Sequence, residues 1–321
     1  MRIVVSFNTI PGQRQLLEQF FKTKAEIVFV EDYPAEMKNN LISGGDILLT
    51  WNPGKEGLYS SDDNLFSNVQ FIQLLSAGYD HVNLDMFSKK IKIAANQGAY
   101  AGPMAEHAAA MILSLSKKLW VYHSELAKGI FNQNESLTKS IKGSVLGIVG
   151  FGSIGKKTAE LLRGFDVKIM AINTTGKTKE KADFIGTLDD LDHVLKNSDM
   201  FLISCPLTKE TNGLMTKRKF ELMKDDAVLI NVARGAIINQ RDLYYHLKTH
   251  PDFYAGIDAW WIEPFKDGKF EIEYPLFELP NLLGSPHNSA IVKDAIISGT
   301  EKAAFNVERF INNESIAGLI N

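Results

Sequence analysis

The chain of 321 residues has little of three things, and each shortage excludes a class of protein. Its single cysteine, Cys205, excludes an internal disulfide and a metal site made of several cysteines. No apolar run approaches the ~18 residues that a membrane-spanning helix needs. The net charge is −3 and no basic stripe is present, which argues against nucleic acid as a partner. The N-terminus begins directly with a strand and shows no signal peptide, so we expect a cytoplasmic protein.

The most informative stretch is an apolar run that breaks into Gly150-x-Gly152-x-x-Gly155. The residues before it are typical of a buried strand, and those after it are typical of a helix. A strand, a glycine turn and a helix N-terminus together form a pyrophosphate-binding site. Gly150 permits the tight turn, Gly152 lets the backbone approach the phosphates, and Gly155 lets the helix pack close to the strand. A P-loop is excluded, because Lys157 stands where that motif needs serine or threonine for magnesium.

Short apolar strands alternate with helices along the whole chain, which predicts parallel sheets with helices on both faces. In a first domain we expect strands at Ile3–Phe7, Glu26–Val30, Asp46–Thr50, Val69–Leu75 and Ile91–Ala95. In a dinucleotide-binding domain we expect six, namely the strand before Gly150 and those at Val167–Asn173, Met200–Cys205, Ala227–Ala233, Tyr254–Trp260 and Leu282–Ser285.

Two long helices are predicted, at Pro103–Trp120 and Ile291–Ile311, and the second should cross back to the first domain. The predicted fold class is therefore α/β with two doubly wound parallel-sheet domains, a Rossmann cofactor domain inserted in a flavodoxin-like substrate domain. Residues 1–97 and 289–321 form the predicted substrate domain, and residues 98–288 the dinucleotide-binding domain.

Three polar residues follow successive strands of the predicted cofactor domain: Arg234, Glu263 and His287. Arginine binds a carboxylate bidentately, and histidine can give or take a proton near neutral pH. A carboxylate beside the histidine would orient the ring and favour its protonated form. Each residue alone could be a surface or turn residue, but their ordered appearance favours one catalytic site. The remaining histidines lack metal-binding spacing, so no metal is expected.

Several motifs together resemble the D-isomer-specific 2-hydroxyacid dehydrogenase family nearly from end to end. They are Ser76-Ala-Gly-Tyr-Asp-His-Val82, Ala105-Glu-His107, the Gly150 motif, Cys205-Pro-Leu-Thr208, Asn231-Val-Ala-Arg-Gly235, Asp258 to Glu263-Pro264, and Ser285-Pro-His287. The resemblance implies that Arg234 grips the substrate carboxylate and carbonyl, that His287 is the acid and base, and that Glu263 is its partner. The glutamate also argues against formate dehydrogenases, which have glutamine there.

The resemblance also implies that Asp258 contacts the nicotinamide carboxamide and that the backbone of Ala77 and Gly78 helps to bind the substrate carboxylate. Four aromatic residues are further candidates for the substrate pocket, namely Trp51, Tyr100, Trp260 and Trp261. The glycine motif and the resemblance together place cofactor contacts at Gly150, Gly152, Ser153, Ile154, Gly155, Asn173, Thr174, Lys177, Cys205, Pro206, Thr211, Ala233 and Asp258. Cys205 is expected to pack as a small apolar residue and not to act as a nucleophile.

One departure from the family bears on the cofactor. The family's usual acidic residue, which binds the ribose 2′-hydroxyl, is replaced here by Asn173, and Thr174, Lys177 and Lys179 follow. No carboxylate is present to repel a 2′-phosphate. The sequence therefore favours NADP over NAD, although Asn173 could also bond a plain ribose.

The predicted activity is NAD(P)H-dependent reduction of a small 2-ketoacid, of the glyoxylate or hydroxypyruvate type, to the D-2-hydroxyacid, and the reverse oxidation. A phosphoglycerate or D-lactate dehydrogenase of the same family stays open as an alternative. A dinucleotide-sensing interaction protein of the corepressor type is a second alternative. The resemblance also implies a homodimer formed through the Pro103–Trp120 helix and the segment after it.

Overall fold

The computed structural model describes residues 1–59 and 64–321, apart from the side chain of Phe265. The chain divides into a discontinuous unit, Met1–Tyr100 with Ile291–Asn321, and a central unit, Ala101–Ala290. The chain crosses from one unit to the other after Tyr100 and again after Ala290, each a few residues later than the sequence predicts. At the first crossing the reason is Tyr100, whose buried ring belongs to the discontinuous unit and whose hydroxyl donates to the Leu75 carbonyl at 3.0 Å.

The elements of the described part of the chain are numbered in chain order. Strands β1 to β12 are Arg2–Val5, Glu26–Phe29, Ile47–Thr50, Phe71–Leu74, Lys92–Ala94, Val145–Val149, Lys168–Ile172, Phe184–Gly186, Met200–Ile203, Val228–Asn231, Tyr254–Ile257 and Leu282–Gly284. Helices α1 to α10 are Pro11–Phe21, Lys38–Ser43, Ala101–Ser116, Leu119–Ala127, Ser153–Leu162, Leu191–Asn197, Lys217–Phe220, Gln240–Thr249, Pro264–Asp267 and Ala295–Ile311. Short 3-10 helices lie at Val30–Asp32, Ala35–Met37, Leu84–Met86, Arg163–Phe165, Leu188–Asp190, Gly235–Ile237 and Leu276–Glu278.

In the discontinuous unit, the described strands form one parallel sheet in the order β2-β1-β3-β4-β5. This is the order of flavodoxin-like doubly wound folds. Strands β3 and β4 are buried at every residue, because apolar clusters cover both faces of the sheet. Helices α1 and α10 contribute to one of these clusters through residues such as Leu17 and Val307.

In the central unit, the described strands form a parallel sheet in the order β12-β11-β10-β9-β6-β7-β8. The order reverses beside β6, as in a Rossmann fold, and this switch point lies at the glycine motif. The prediction of two doubly wound parallel-sheet domains is thus confirmed. The predicted count of six strands is wrong by one, because β8 escapes the sequence pattern. Its three residues, Phe184–Gly186, are too few to show a strand periodicity.

The structure also corrects both long helices. The predicted helix Pro103–Trp120 ends at Ser116, and α4 begins at Leu119. Lys118 interrupts the helix because its φ of 49° is left-handed. The predicted helix Ile291–Ile311 begins later, at Ala295. Among the described residues, no helix combines the length and apolarity that crossing a membrane requires.

The core of the central unit holds a histidine that the sequence does not single out. His246 of α8 stacks on Phe220 and on His250, with ring centroids 5.2 and 4.1 Å away. Its Nε2 atom is buried and has no hydrogen-bond partner among the described residues. Burial, followed by repulsion from His250, lowers the pKa of His246 from 6.5 to about 4. The folded protein therefore keeps this ring neutral.

We expect His246 to make the protein sensitive to mild acid. The unfolded chain takes up a proton at this ring near pH 6.5 and the folded chain only near pH 4, so stability falls as pH drops through that window. Between pH 7.5 and pH 5 the loss is on the order of 2 kcal/mol in the free energy of unfolding. Urea denaturation at both pH values should show that His246→Phe removes this part of the loss. His193→Phe, at an exposed position of α6, should keep the full loss, and an equal effect of both variants would contradict the assignment.

Candidate active site

The turn after β6 needs glycine at two positions for steric reasons. Gly150 has a φ of 96°, and a Cβ there would lie 2.3 Å from the backbone nitrogen of Cys205. A Cβ on Gly155 would lie 2.7 Å from the Gly150 carbonyl oxygen and 2.9 Å from Ile148 Cγ2. These distances are shorter than real Cβ contacts. The first glycine therefore permits the turn, and the third lets α5 pack against β6.

The middle glycine differs from the other two. A Cβ built on Gly152 meets no atom of the described residues within 4 Å, so these residues leave this side of the turn open. Gly152 is also the N-cap of α5 and places no side chain over the first amides, which include those of Ser153, Ile154 and Gly155. Exposed amides and the helix dipole together attract an anion. The loop is thus sterically and electrostatically fitted to a pyrophosphate.

Asn173 follows β7 and holds its own loop together. Its side-chain oxygen accepts hydrogen bonds from the backbone nitrogens of Thr175 and Gly176 at 3.0 and 2.8 Å. Its amide nitrogen donates to the Lys177 carbonyl at 2.8 Å. The side chains of Thr174 and Lys177 are exposed beside this turn. Asn173 therefore shapes the loop in which a family acid would stand.

The segment after β9 contains the only cysteine. Cys205 is buried, and this burial raises the pKa of its thiol to about 12, so it stays protonated at neutral pH. The next residues are held by Thr211, whose hydroxyl donates to the Pro206 carbonyl at 2.7 Å and accepts from the Thr208 nitrogen at 2.7 Å. Cys205 thus behaves as an apolar residue that packs against the Gly150 turn, in agreement with the sequence analysis.

Arg234 lies three residues after the end of β10, in a turn that Asn231 stabilises. The Asn231 side chain donates to the Arg234 carbonyl at 2.9 Å and accepts from the nitrogen of the buried Ala233 at 3.0 Å. The guanidinium Nη1 donates to the Ala233 carbonyl at 2.8 Å. A Cβ on Gly235 would lie 2.2 Å from the Trp260 backbone, so the turns after β10 and β11 touch each other.

His287 and Glu263 are directly paired. The His287 Nδ1 atom lies 2.6 Å from the Glu263 carboxylate oxygen Oε2, which can only accept from it. The other oxygen, Oε1, accepts from the Trp260 nitrogen at 2.5 Å, so the carboxylate is anchored to the backbone. A proton held on Nδ1 leaves Nε2 as the nitrogen that can exchange a proton with a substrate. Two of the three predicted catalytic side chains are therefore in contact.

The loop that carries His287 is fastened to Asp258. This aspartate is fully buried, and its Oδ1 atom accepts from the Ser285 hydroxyl at 2.6 Å and from the Asn288 nitrogen at 3.1 Å. Its Oδ2 atom accepts from the Ser289 nitrogen at 3.3 Å. These bonds flank His287, whose φ of 51° is unfavourable for a residue with a Cβ. Asp258 thus helps to hold the histidine in a strained backbone conformation.

His107 is a site residue that the sequence analysis missed. The sequence gives it no role beyond its place in the Ala105-Glu-His107 motif, yet its Nε2 atom lies 3.0 Å from the Ser285 hydroxyl and 3.7 Å from Asp258 Oδ1. Because Ser285 donates its only proton to Asp258, it accepts from His107. The signal available in the sequence was the Ala105-Glu-His107 motif at the start of α3.

Trp260 and Trp261, the two aromatic candidates of the central unit, are fixed by hydrogen bonds to the backbone. The indole nitrogen of Trp260 donates to the Ser285 carbonyl at 2.8 Å, and that of Trp261 donates to the Ile238 carbonyl at 2.6 Å. Across the described residues, no group of three or more histidine, cysteine, aspartate or glutamate side chains is arranged to hold a metal ion.

The substrate candidates of the discontinuous unit lie after its strands. Trp51 follows β3 and is half-buried, with its ring edge-on to Phe7 at 6.3 Å. Ala77 and Gly78 follow β4 and are half-buried. Tyr100 is buried against α10 and has its hydroxyl engaged. Burial raises the pKa of Tyr100 to about 12, so its phenol stays neutral at physiological pH.

A fitted pyrophosphate loop and a paired histidine and glutamate on one doubly wound sheet define a class, the dinucleotide-dependent oxidoreductases. Residues 109–289 match the family described as "D-isomer specific 2-hydroxyacid dehydrogenase, NAD binding domain". The chain belongs to the D-isomer specific 2-hydroxyacid dehydrogenase family, whose members are oxidoreductases acting on small molecules. A nicotinamide dinucleotide is therefore its cofactor.

Individual relatives agree with this assignment. The chain is 28% identical over 271 residues to a glyoxylate reductase of Thermococcus litoralis, covering 81% of this chain and 80% of the relative. It is 30% identical over 258 residues to a glyoxylate reductase/hydroxypyruvate reductase of Mus musculus, covering 79% and 75%. The solved structure of a D-isomer specific 2-hydroxyacid dehydrogenase family protein from Aeromonas salmonicida has the same fold, with a TM-score of 0.83 at 24% identity, covering 100% of this chain and 98% of that one.

Proposed function

We propose that the protein reduces a small 2-ketoacid of the glyoxylate or hydroxypyruvate type to the D-2-hydroxyacid with NADPH or NADH, and also catalyses the reverse oxidation. The observation that carries the proposal is the 2.6 Å pairing of His287 with Glu263, next to the Arg234 turn on the same sheet as the Gly150 loop. Relatives described as glyoxylate and hydroxypyruvate reductases support this choice of substrate.

The side chains have distinct tasks in the proposed reaction. When bound, the reduced nicotinamide supplies a hydride to the substrate carbonyl carbon. Arg234 binds the substrate carboxylate and polarises its carbonyl, for which a planar cation is suited. His287 donates a proton from Nε2 to the carbonyl oxygen. The ring that results is neutral and keeps the proton on Nδ1, which stays hydrogen-bonded to Glu263. In the reverse direction, His287 takes up the hydroxyl proton.

The discontinuous unit supplies the proposed substrate contacts. Backbone amides of Ala77 and Gly78 bind the carboxylate, and Trp51 limits the size of the group beyond the carbonyl. Tyr100 acts indirectly, because its hydroxyl is already bonded to the carbonyl of Leu75, next to the segment of Ala77 and Gly78. In the central unit, the predicted contact of Asp258 with the nicotinamide carboxamide is not kept, because Asp258 is fully buried and both of its oxygens accept from residues 285, 288 and 289; its proposed task is to hold the loop of His287. The discontinuous unit is accordingly the substrate domain, and the central unit is the cofactor domain.

A substrate panel tests the proposal. Loss of absorbance at 340 nm is measured with NADPH or NADH and glyoxylate, hydroxypyruvate, pyruvate, bulkier 2-ketoacids or 3-phosphohydroxypyruvate. We expect the highest kcat/KM with glyoxylate or hydroxypyruvate. A preference for pyruvate or for the phosphorylated substrate would assign the chain to a D-lactate or phosphoglycerate dehydrogenase instead. Cofactor binding without turnover of any 2-ketoacid would favour the dinucleotide-sensing alternative.

For the cofactor, we propose that NADPH is used at least as well as NADH. The half-buried Asn173 replaces the acid that would repel a 2′-phosphate, and its hydrogen bonds present exposed Thr174 and Lys177 at the loop. A lysine attracts a phosphate as a point charge without needing a fixed geometry. The charge of the loop is therefore compatible with the 2′-phosphate that distinguishes NADPH from NADH.

Replacing Asn173 with aspartate should shift the preference toward NADH. An aspartate keeps the oxygen that accepts from Thr175 and Gly176 but adds a negative charge and loses the donor to Lys177. We expect the ratio of kcat/KM with NADPH to that with NADH to fall by about 10-fold or more. The exposed Asp166→Asn, in the same unit, is the control and should keep the ratio. An unchanged ratio in Asn173→Asp, or a strong NADH preference of the unaltered enzyme, would contradict the proposal.

We also propose the homodimer that the sequence predicts, formed through the region of α3 and α4 and the segment after them. Within the described chain, this region exposes several large apolar side chains, namely Leu119, Leu126, Ile130, Phe131 and Leu137. None of the α4 residues is buried. Apolar surface of this kind marks a contact with another protein. Sedimentation equilibrium should give twice the chain mass of 35.8 kDa, and a monomer at micromolar concentration would contradict the proposal.

A further inference from the structure

The Glu56 carboxylate joins the ends of two strands to the loop that carries Trp51. Its Oε2 atom accepts from the hydroxyls of Ser6, at 2.6 Å, and Thr50, at 2.7 Å. Its Oε1 atom accepts from the backbone nitrogens of Trp51 and Asn52, both at 2.8 Å. Both carboxylate oxygens are thus used, by donors from the segment after β1, from the end of β3 and from the loop itself.

This arrangement closes the loop on the sheet. The Glu56 backbone nitrogen donates to the Asn52 carbonyl at 2.9 Å. The loop after β3 therefore turns back so that Glu56 lies beside Asn52. The Lys38 ammonium group donates to the Glu56 carbonyl. Hydrogen bonds to an ionised carboxylate are roughly twice as strong as neutral ones. A single side chain therefore fixes the direction in which the backbone leaves β3.

His81 binds the backbone carbonyl of Trp51, whereas Glu56 binds its backbone nitrogen. The His81 Nε2 atom lies 3.3 Å from the Trp51 carbonyl oxygen. Because a carbonyl oxygen only accepts, Nε2 carries the proton. His81 belongs to the segment that begins with Ala77 and Gly78. The backbone of Trp51 is accordingly bound at its nitrogen by Glu56 and at its oxygen by His81.

We propose that Glu56 and His81 are positioning residues that fix Trp51 and thereby set which 2-ketoacids the enzyme accepts. This inference rests on the proposed function, in which Trp51, Ala77 and Gly78 contact the substrate. Neither residue needs to touch the substrate. Glu56 determines where the tryptophan ring stands, and His81 keeps the tryptophan in register with the carboxylate-binding segment.

The test compares Glu56→Ala with Glu56→Gln. Glutamine keeps an oxygen for the amides of Trp51 and Asn52, and its amide group can donate to the hydroxyls of Ser6 and Thr50. We expect Glu56→Ala to raise KM for the preferred 2-ketoacid by about 10-fold or more, because the variant loses four hydrogen bonds to one carboxylate. The Kd of NADPH should change less than about twofold. Glu56→Gln should restore most of the affinity for the 2-ketoacid.

Two further measurements make the result specific. Hydrogen exchange followed by NMR should show faster exchange at the Trp51 and Asn52 amides in Glu56→Ala but not in Glu56→Gln. His81→Leu should raise KM for the 2-ketoacid, and His81→Gln, which keeps a donor, should raise it less. The control Glu36→Ala removes an exposed carboxylate of the same unit and should change none of these values.

The outcomes separate this inference from the proposed function. If Glu56→Ala leaves both the exchange rates and KM for the 2-ketoacid unchanged, the inference is overturned. A rise of KM for the 2-ketoacid together with an equal rise of the NADPH Kd also overturns it, because the effect is then general destabilisation. If the unaltered enzyme reduces no 2-ketoacid, the proposed function fails and the specificity role fails with it. Faster amide exchange in Glu56→Ala would then still show that Glu56 holds the backbone of Trp51 and Asn52.

Discussion

Replacing His287 with asparagine should lower kcat for 2-ketoacid reduction by about 10²- to 10⁴-fold, the usual contribution of a general acid. The Nδ1 atom of His287 is 2.6 Å from Glu263, so the ring is oriented with Nε2 available for the proton transfer. Asparagine removes the titrating group but tolerates the left-handed backbone that this position requires, with its φ of 51°. Cofactor binding should be largely kept, because the Gly150 loop is untouched.

The measurement is steady-state kcat together with the NADPH Kd from fluorescence titration. His287→Ala should lose a similar amount of kcat and be less stable than His287→Asn, by about 1 kcal/mol, since alanine is disfavoured at positive φ. His193→Ala removes an exposed histidine of the same unit and should leave kcat unchanged. Turnover of His287→Asn within threefold of the unaltered enzyme would refute the role of this residue as the acid.

Replacing Gly152 with aspartate should weaken NADPH binding by about 100-fold or more without unfolding the protein. The new side chain has room, because a Cβ at this position meets nothing within 4 Å in the described part of the chain. A carboxylate at the N-terminus of α5 stabilises the helix but occupies the open side of the turn and repels the pyrophosphate. Thermal stability without cofactor should be equal to or above that of the unaltered protein.

Two other glycines serve as comparisons for Gly152. Gly164→Asp places the same charge on a glycine that is equally open but lies in the 3-10 helix after α5, and it should leave cofactor affinity unchanged. Gly150→Ala should instead lower the melting temperature, because its Cβ would collide with Cys205 and its φ of 96° is unfavourable. Normal NADPH affinity in Gly152→Asp would show that the pyrophosphate does not bind at this turn.

Much of the fold was readable from the sequence because its signals are local. Apolar runs separated by helices predicted both parallel sheets, and Gly150-x-Gly152-x-x-Gly155 marked the point where the strand order reverses. The errors were local as well. Strand β8 has only three residues, and the break at Lys118 rests on one left-handed backbone conformation that residue type does not announce.

The predicted site is a different matter, because its parts come from distant positions. Arg234, Glu263 and His287 were named from their places after strands, and the pairing of the last two is present in the structure. Their catalytic roles stay predictions. His107 and Glu56 were missed, since each acts through partners far along the chain. The Glu56 carboxylate reaches Ser6, which is 50 residues away, and no spacing rule connects the two.

The class of fold, the dinucleotide loop and the family can be read from the amino-acid sequence alone, because strand periodicity, glycine spacing and motif order are properties of neighbouring residues. Which side chains are bonded, buried or strained depends on the folded structure. It showed that Asn173 is occupied in shaping its own loop, that Tyr100 has its hydroxyl engaged, and that Asp258 holds the loop of His287. These outcomes depend on hydrogen bonds and burial that arise only when remote segments pack together.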